Sequence, residues 1–313
     1  MKAKQLRIIL GILGVGILLY LPSLLRTPRR STTPSNGPTF SIPAPASSLR
    51  TVRILNGKNG DTIRLERHDA GWTTNGHPAD SAKVADLLAS LDTLRTFRIV
   101  ARNPANHARL GVTAETGRRI ELAADSGSAF SFFLGSRARG SDGSYVRRDG
   151  EAEVYLLTDP AAGYLGRDPD GWRIRLIAAL DTGRIREIVM ERKGRRTVLD
   201  RKDSGWTADG MPADSATVAK LLARLVEIRA SGYPTDSVAA ATSFDPPPAR
   251  LEVFSADSTA QGGRTRVLAL LLEPGEERGD DWLARRAEDS EVVELSSYVT
   301  GALLPDRKRL LGQ

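Results

Sequence analysis

Residues 71–91, GWTTNGHPADSAKVADLLASL, recur at residues 205–225 as GWTADGMPADSATVAKLLARL, with fifteen of 21 positions identical at a constant offset of 134. A repeat of this length and fidelity means that one structural unit is built twice in tandem. The second part of each copy reads as a helix. Val84, Leu87, Leu88 and Leu91, and again Val218, Leu221, Leu222 and Leu225, fall at i, i+3, i+4 and i+7, one apolar face of a 3.6-residue period. Asp80 and Asp214, each followed by Ser, stand where the orphan N–H groups of a helix start need a side-chain oxygen. Capping accounts for this pair better than a role as duplicated catalytic acids. Asn75-Gly76 and Asp209-Gly210 predict turns that need φ > 0. Trp72 and Trp206 occupy the joint between strand and helix in both copies, which marks them, with Asp80 and Asp214, as structural anchors of the repeat.

Alternation carries the strands. Residues 62–67 alternate polar and apolar ahead of the first Gly-Trp, and residues 96–101 form a candidate strand after the helix. Residues 119–122 answer residues 250–253 at an offset of 131, and 130–134 and 267–272 are apolar runs. Residues 145–148 answer 283–286, and 154–157 answer 292–295, both at an offset of 138. The drift falls in Gly-, Pro-, Ser- and Asp-rich segments, as insertions in surface loops do. Each copy reads β-β-α-β-β-β-β, and consecutive strands on short turns predict an antiparallel sheet. The expected class is α+β. It comprises two tandem homologous repeats, residues 51–182 and 183–313, each a mostly antiparallel sheet with one covering helix, behind an N-terminal transmembrane helix.

That last element rests on residues 1–30. Lys2, Lys4 and Arg7 precede an apolar run at 8–25, and Arg26, Arg29 and Arg30 follow it. Eighteen residues at about 1.5 Å each span roughly 27 Å, enough for a bilayer crossing. No small-x-small site closes the run, so an uncleaved signal anchor is expected rather than a removed leader. A short tail ahead of a large body predicts a single-pass protein of the inner (cytoplasmic) membrane, N-terminus cytoplasmic and body periplasmic or otherwise extracytoplasmic. Residues 31–50, rich in Pro, Ser and Thr, read as a linker. The chain carries 45 Lys+Arg against 38 Asp+Glu, and residues 1–30 hold six of the former and none of the latter. The rest is left with 39 against 38, so the basic balance belongs to the anchor and no nucleic-acid partner is expected. Two local patches, Arg192-Lys193 with Arg195-Arg196 and Arg307-Lys308-Arg309, read as solvated turn and tail charges.

No catalytic set is legible. There is no Cys and no G-x-S-x-G, which removes thiolate nucleophiles, Cys-based zinc sites and the hydrolase elbow. His68 and His77 are replaced in the second copy by Lys202 and Met211, and with His107 they make up all the histidines; exposed turn positions suit the first two better than metal ligation. No catalytic, cofactor-binding or metal residue is assigned and no cofactor is expected. Trp172 and Trp282 lie outside the repeated stretch and are the candidate ligand-facing aromatics.

At the Gly-Trp, Pro-Ala-Asp-Ser and Leu-Leu-x-x-Leu residues of each copy, the chain resembles bacterial membrane-anchored proteins carrying domain of unknown function 4340. Leu134-Gly135, Tyr145-Val146-Arg147 and Val154-Tyr155 fit the same pattern, and Leu110-Gly111-Val112 stands for its Gly-Leu segment without the Pro. The second copy departs with Glu273 for the Gly and Trp282-Leu283-Ala284-Arg285 for Tyr-Val-Arg. The resemblance spans about residues 51–300 and implies two tandem copies of that domain, an N-terminal anchor, an extracytoplasmic body and linkage to ABC-transporter loci of the gliding type. It implies no activity. The expected function is therefore that of a non-enzymatic accessory or scaffold protein, attached to the bilayer through residues 8–25. Its expected partner is a membrane protein, such as ABC-type permease or ATPase subunits. A cell-envelope glycan or polymer binding module is the alternative.

Overall fold

The computed structural model describes residues 40–313 except 58, 59, 95, 126, 128, 141, 158, 159, 257–262 and 276–280. The first repeat contributes β1 (Leu49–Asn56), β2 (Thr62–His68), β3 (Gly71–Thr74), β4 (His77–Pro78), α1 (Ser81–Asp92), β5 (Thr96–Ala101), α2 (His107–Leu110), β6 (Arg118–Ala124), β7 (Ala129–Arg137), β8 (Ser144–Arg148), β9 (Val154–Leu157) and α3 (Ala161–Leu165). After β10 (Leu176–Ala178), the second contributes β11 (Ile185–Arg192), β12 (Arg195–Lys202), β13 (Gly205–Ala208), β14 (Met211–Pro212), α4 (Ser215–Leu225), β15 (Ile228–Arg229), α5 (Asp236–Ala241), β16 (Ala249–Ala256), β17 (Arg264–Pro274), β18 (Trp282–Arg286), β19 (Val293–Leu295), α6 (Ser297–Leu303) and α7 (Arg307–Leu310).

The two large sheets, β4-β3-β2-β1-β6-β7-β8-β9-β5 and β14-β13-β12-β11-β16-β17-β18-β19, share the order of their first eight strands, the first sheet adding β5 at its edge, and every pairing within them is antiparallel. The same turn chemistry sets both registers. Asn75 and Asp209, each followed by Gly, adopt φ of 49°. Each side chain accepts from a strand amide across the hairpin, Asn75 Oδ1 from Arg64 N at 2.8 Å and Asp209 Oδ1 from Val198 N at 2.9 Å. Each repeat has its own core. Val84, Leu87 and Leu91 of α1 seal one sheet face, and Val218, Leu221 and Leu225 of α4 seal the other. The caps hold those helices in place. Asp80 Oδ1 accepts from Ala82 N and Lys83 N, and Asp214 Oδ2 accepts from Thr217 N at 2.7 Å. The two aspartates' own N–H groups donate to Trp172 O and Leu310 O, so each helix start is tied to the segment that follows its sheet.

The expectation of one covering helix per repeat is overturned. The described residues form mostly antiparallel sheet with few, mainly short helices, and α3, α6 and α7 join α1 and α4 over the two cores. Helices of one or two turns are stabilised by tertiary packing rather than by their own periodicity, so they leave no 3.6-residue signature to read. No helix among the described residues is long and apolar enough to cross a membrane; the run at 8–25 lies outside the described residues. Residues 40–50, read with the linker, pack onto the first sheet. Phe40 is 2% exposed and meets the rings of Phe130, Phe132 and Tyr155 at 5.8, 5.4 and 6.1 Å.

Removing the cap oxygen by Asp80→Ala is expected to cost about 1 kcal/mol, read as a shift in the urea midpoint, and Asp214→Ala acts in the same direction. Hydrogen bonds from Thr217 hold the Asp214 carboxyl below the usual carboxylate range. A carboxyl depressed on folding stabilises the native state above its unfolded pKa of about 3.9, and that contribution disappears as pH falls through the folded value. Acid titration should therefore erase the difference between wild type and Asp214→Ala once the pH has fallen below the folded value; a gap that persists there would show that charge is not what the cap supplies.

Candidate functional site

The two repeats are joined by a connector whose polar groups are matched to both sides. Trp172 O accepts from Asp80 N, and an isolated bridge pairs Arg173 with Ala79. Three residues on, β10 pairs with β15, and Arg175 O accepts from Ala230 N. In the first repeat the strand after the main helix, β5, pairs with β9; in the second its counterpart, β15, is taken up by the connector. The next contact is the pairing of the Gly232 backbone with Glu294, whose carboxylate, the mobile end of its side chain, lies over the glycine's open face.

Arg173 is the hub of this junction. It is buried, its Nη2 donates to Glu291 Oε2 at 2.8 Å, and its guanidinium lies 3.8 Å from the centroid of the Tyr233 ring. His77, at the start of β4, faces Arg173 Nη2 and Glu291 Oε1 through Nδ1 at 3.1 and 2.9 Å, and Asp236 Oδ1 through Nε2 at 3.1 Å. Burial pushes the Tyr233 hydroxyl up to about 12, against the opposing pull of Arg173. One cleft of about 340 Å³ opens on one side of Arg173 and Tyr233, bounded by Ile174, Leu176, Arg285, Arg286 and Glu291. A second, of about 290 Å³, opens beside His77, Asp170 and Asp236. Ile174 and Leu176 are 44% and 42% exposed at the rim of the first. Both ring nitrogens of His77 are engaged by carboxylates and Arg173, so neither is aimed at a hydroxyl as a general base must be. Among the described residues no group of three or more His, Asp or Glu is arranged to hold a metal. The junction sets fixed cations and carboxylates beside exposed aliphatic side chains.

The residues singled out from sequence lie elsewhere. Trp172 is fully buried in the first core, so its ring cannot face a ligand. Its position after the sheet answers that of Leu310 in the second repeat, also fully buried, and both carbonyls receive the N–H of a helix cap. Trp282 is half-buried on the second core, with the Arg192 guanidinium 5.3 Å from its ring centroid. Trp72 and Trp206 pack on the edges of their cores. The junction residues His77, Arg173, Tyr233, Asp236 and Glu291 are scattered over more than 200 positions, and folding alone collects them. One signal pointed toward them. His77 is one of six departures within the repeated stretch, its counterpart being the exposed Met211, and a position that differs between copies is one the shared packing does not dictate.

The family described as Domain of unknown function (DUF4340) matches residues 72–252. No curated protein and no solved structure matches the chain.

Proposed function

The chain belongs to the DUF4340 family, and from that premise we propose that it is a non-enzymatic, membrane-attached accessory or scaffold protein with an extracytoplasmic body. Its two sheets represent two tandem copies of the family's unit, and the apolar run at 8–25 attaches the chain to the inner membrane. The partner is a membrane protein, with ABC-type permease and ATPase subunits as the first candidates. The observation that carries this reading is the cleft between the repeats, where exposed Ile174 and Leu176 adjoin Tyr233, Arg285 and Arg286. Exposed aliphatic side chains beside arginine and tyrosine have the composition of protein-binding hot spots. The alternative, a cell-envelope glycan or polymer binding module, relied on Trp172 and Trp282 as stacking platforms. The burial of Trp172 and the cover of Arg192 over Trp282 weigh against it.

A photo-crosslinking residue at Leu176, activated in intact cells and followed by mass spectrometry, tests the proposal. The expected product is an adduct to a permease subunit, with its ATPase co-purifying. Adducts only to envelope polymer, or none, would overturn it.

A further inference from the structure

We infer that the second repeat carries a binding groove for a phosphate-bearing anion, built by bringing together the two basic patches at 192–196 and 307–309. The hairpin turn between β11 and β12 and the segment through α7 form the walls of a cleft of about 1170 Å³. Met190, Thr197 and Leu304, all buried, contribute to its lining. Seven cations line it: Arg192, Lys193, Arg195, Arg196, Arg307, Lys308 and Arg309, against one lining aspartate, Asp306. Arg192 is held between the Trp282 ring and Asp306, 3.8 Å from the latter. Arg307 Nε donates to Asp209 Oδ2 at 2.9 Å. Lys193, Arg195, Arg196, Lys308 and Arg309 form no ion pair among the described residues, although Arg196 contributes to lowering the Asp209 carboxyl.

This concentration of charge is not part of the shared architecture. At the offset of 134, Asp61 and Thr62 stand where Arg195 and Arg196 stand; at 138, Pro169, Asp170 and Gly171 stand where Arg307, Lys308 and Arg309 stand. The fold tolerates neutral or acidic residues at all five positions, so packing does not demand the cations. At the corresponding end of the first sheet the pocket is about 250 Å³, and its charged lining residue, Arg118, is committed through Nη1 to the carbonyls of Leu165 and Arg167. Like charges crowded into a concave site repel one another and focus a positive potential, which a multivalent anion relieves. Arginine forks match phosphate oxygens in geometry as well as charge. The ligand class is thus a phosphate group with more than one charged or hydrogen-bonding oxygen, supplied by an anionic lipid headgroup or by a soluble phosphate chain.

The first repeat supplies a variant that should fold, Arg195→Asp with Arg196→Thr, which copies its residues. Full-length protein in neutral detergent is titrated calorimetrically with inorganic tripolyphosphate and with short-chain phosphatidylglycerol below its micellar concentration. A control variant, Arg137→Asp with Arg139→Thr, makes the same charge change on an exposed hairpin of the first repeat. Binding that weakens with salt and loses about tenfold or more in the groove variant, but not in the control, supports the proposal. Response to the lipid alone assigns a headgroup, and response to tripolyphosphate alone assigns a soluble phosphate. Absence of binding by both probes, or equal loss in the two variants, overturns it. Thermal unfolding of each variant separates loss of binding from loss of fold.

Discussion

Trp172→Ala is expected to destabilise the protein by about 3–5 kcal/mol, the range for deleting a large buried aromatic. The ring is fully buried in the first core, and the residue's backbone carbonyl holds the Asp80 amide. Truncation leaves a cavity next to a helix N-terminus whose position depends on this segment, so little collapse can refill it. Trp172→Phe separates size from polarity. The indole Nε1 is buried without a hydrogen-bond partner among the described residues. Phe therefore removes an unsatisfied donor along with some volume, and the net cost should be only about 1 kcal/mol. Urea unfolding of the two variants measures both. A loss below about 1 kcal/mol for Ala would mean that the ring does not support the core; near-equal losses for Ala and Phe would mean that the indole nitrogen, not the volume, matters.

Arg173→Ala is expected to cost about 2–3 kcal/mol and to loosen the junction between the repeats. It deletes the bond to Glu291, the contact with His77 and the stacking on Tyr233. The Glu291 side chain is about one-third exposed and can rehydrate, which keeps the figure below that of a fully buried pair. A double-mutant cycle with Glu291→Gln should return a coupling of about 1–2 kcal/mol. Limited proteolysis supplies the second readout. Cleavage within the connector, near β10, should accelerate in Arg173→Ala while each core remains intact. Unchanged protection there, or additive single-mutant effects, would show that β10–β15 pairing alone holds the repeats together.

The amino-acid order determined the features whose signals are local. Fifteen shared positions announced two similar units, and the spacing of Val84, Leu87 and Leu91 marked the face that α1 buries. Asp80 and Asp214 marked where the helices begin, and Asn75-Gly76 and Asp209-Gly210 marked the tight turns. Each depends on contacts within a few residues, where periodicity, caps and φ preferences suffice. Tertiary structure decided what depends on distant partners. Trp172 could be a platform or a core plug, and only its place opposite Asp80 made it the latter. The short helices α3, α6 and α7 exist because packing against the sheets sustains them. His77 became a junction residue because Glu291, 214 positions away, folds against it. Two basic patches that each read as ordinary surface charge became one groove because β12 turns back on β11 while α7 closes on the start of α4. Charge and burial are properties of neighbourhoods in space, and a chain reveals those neighbourhoods only where they coincide with neighbourhoods in sequence.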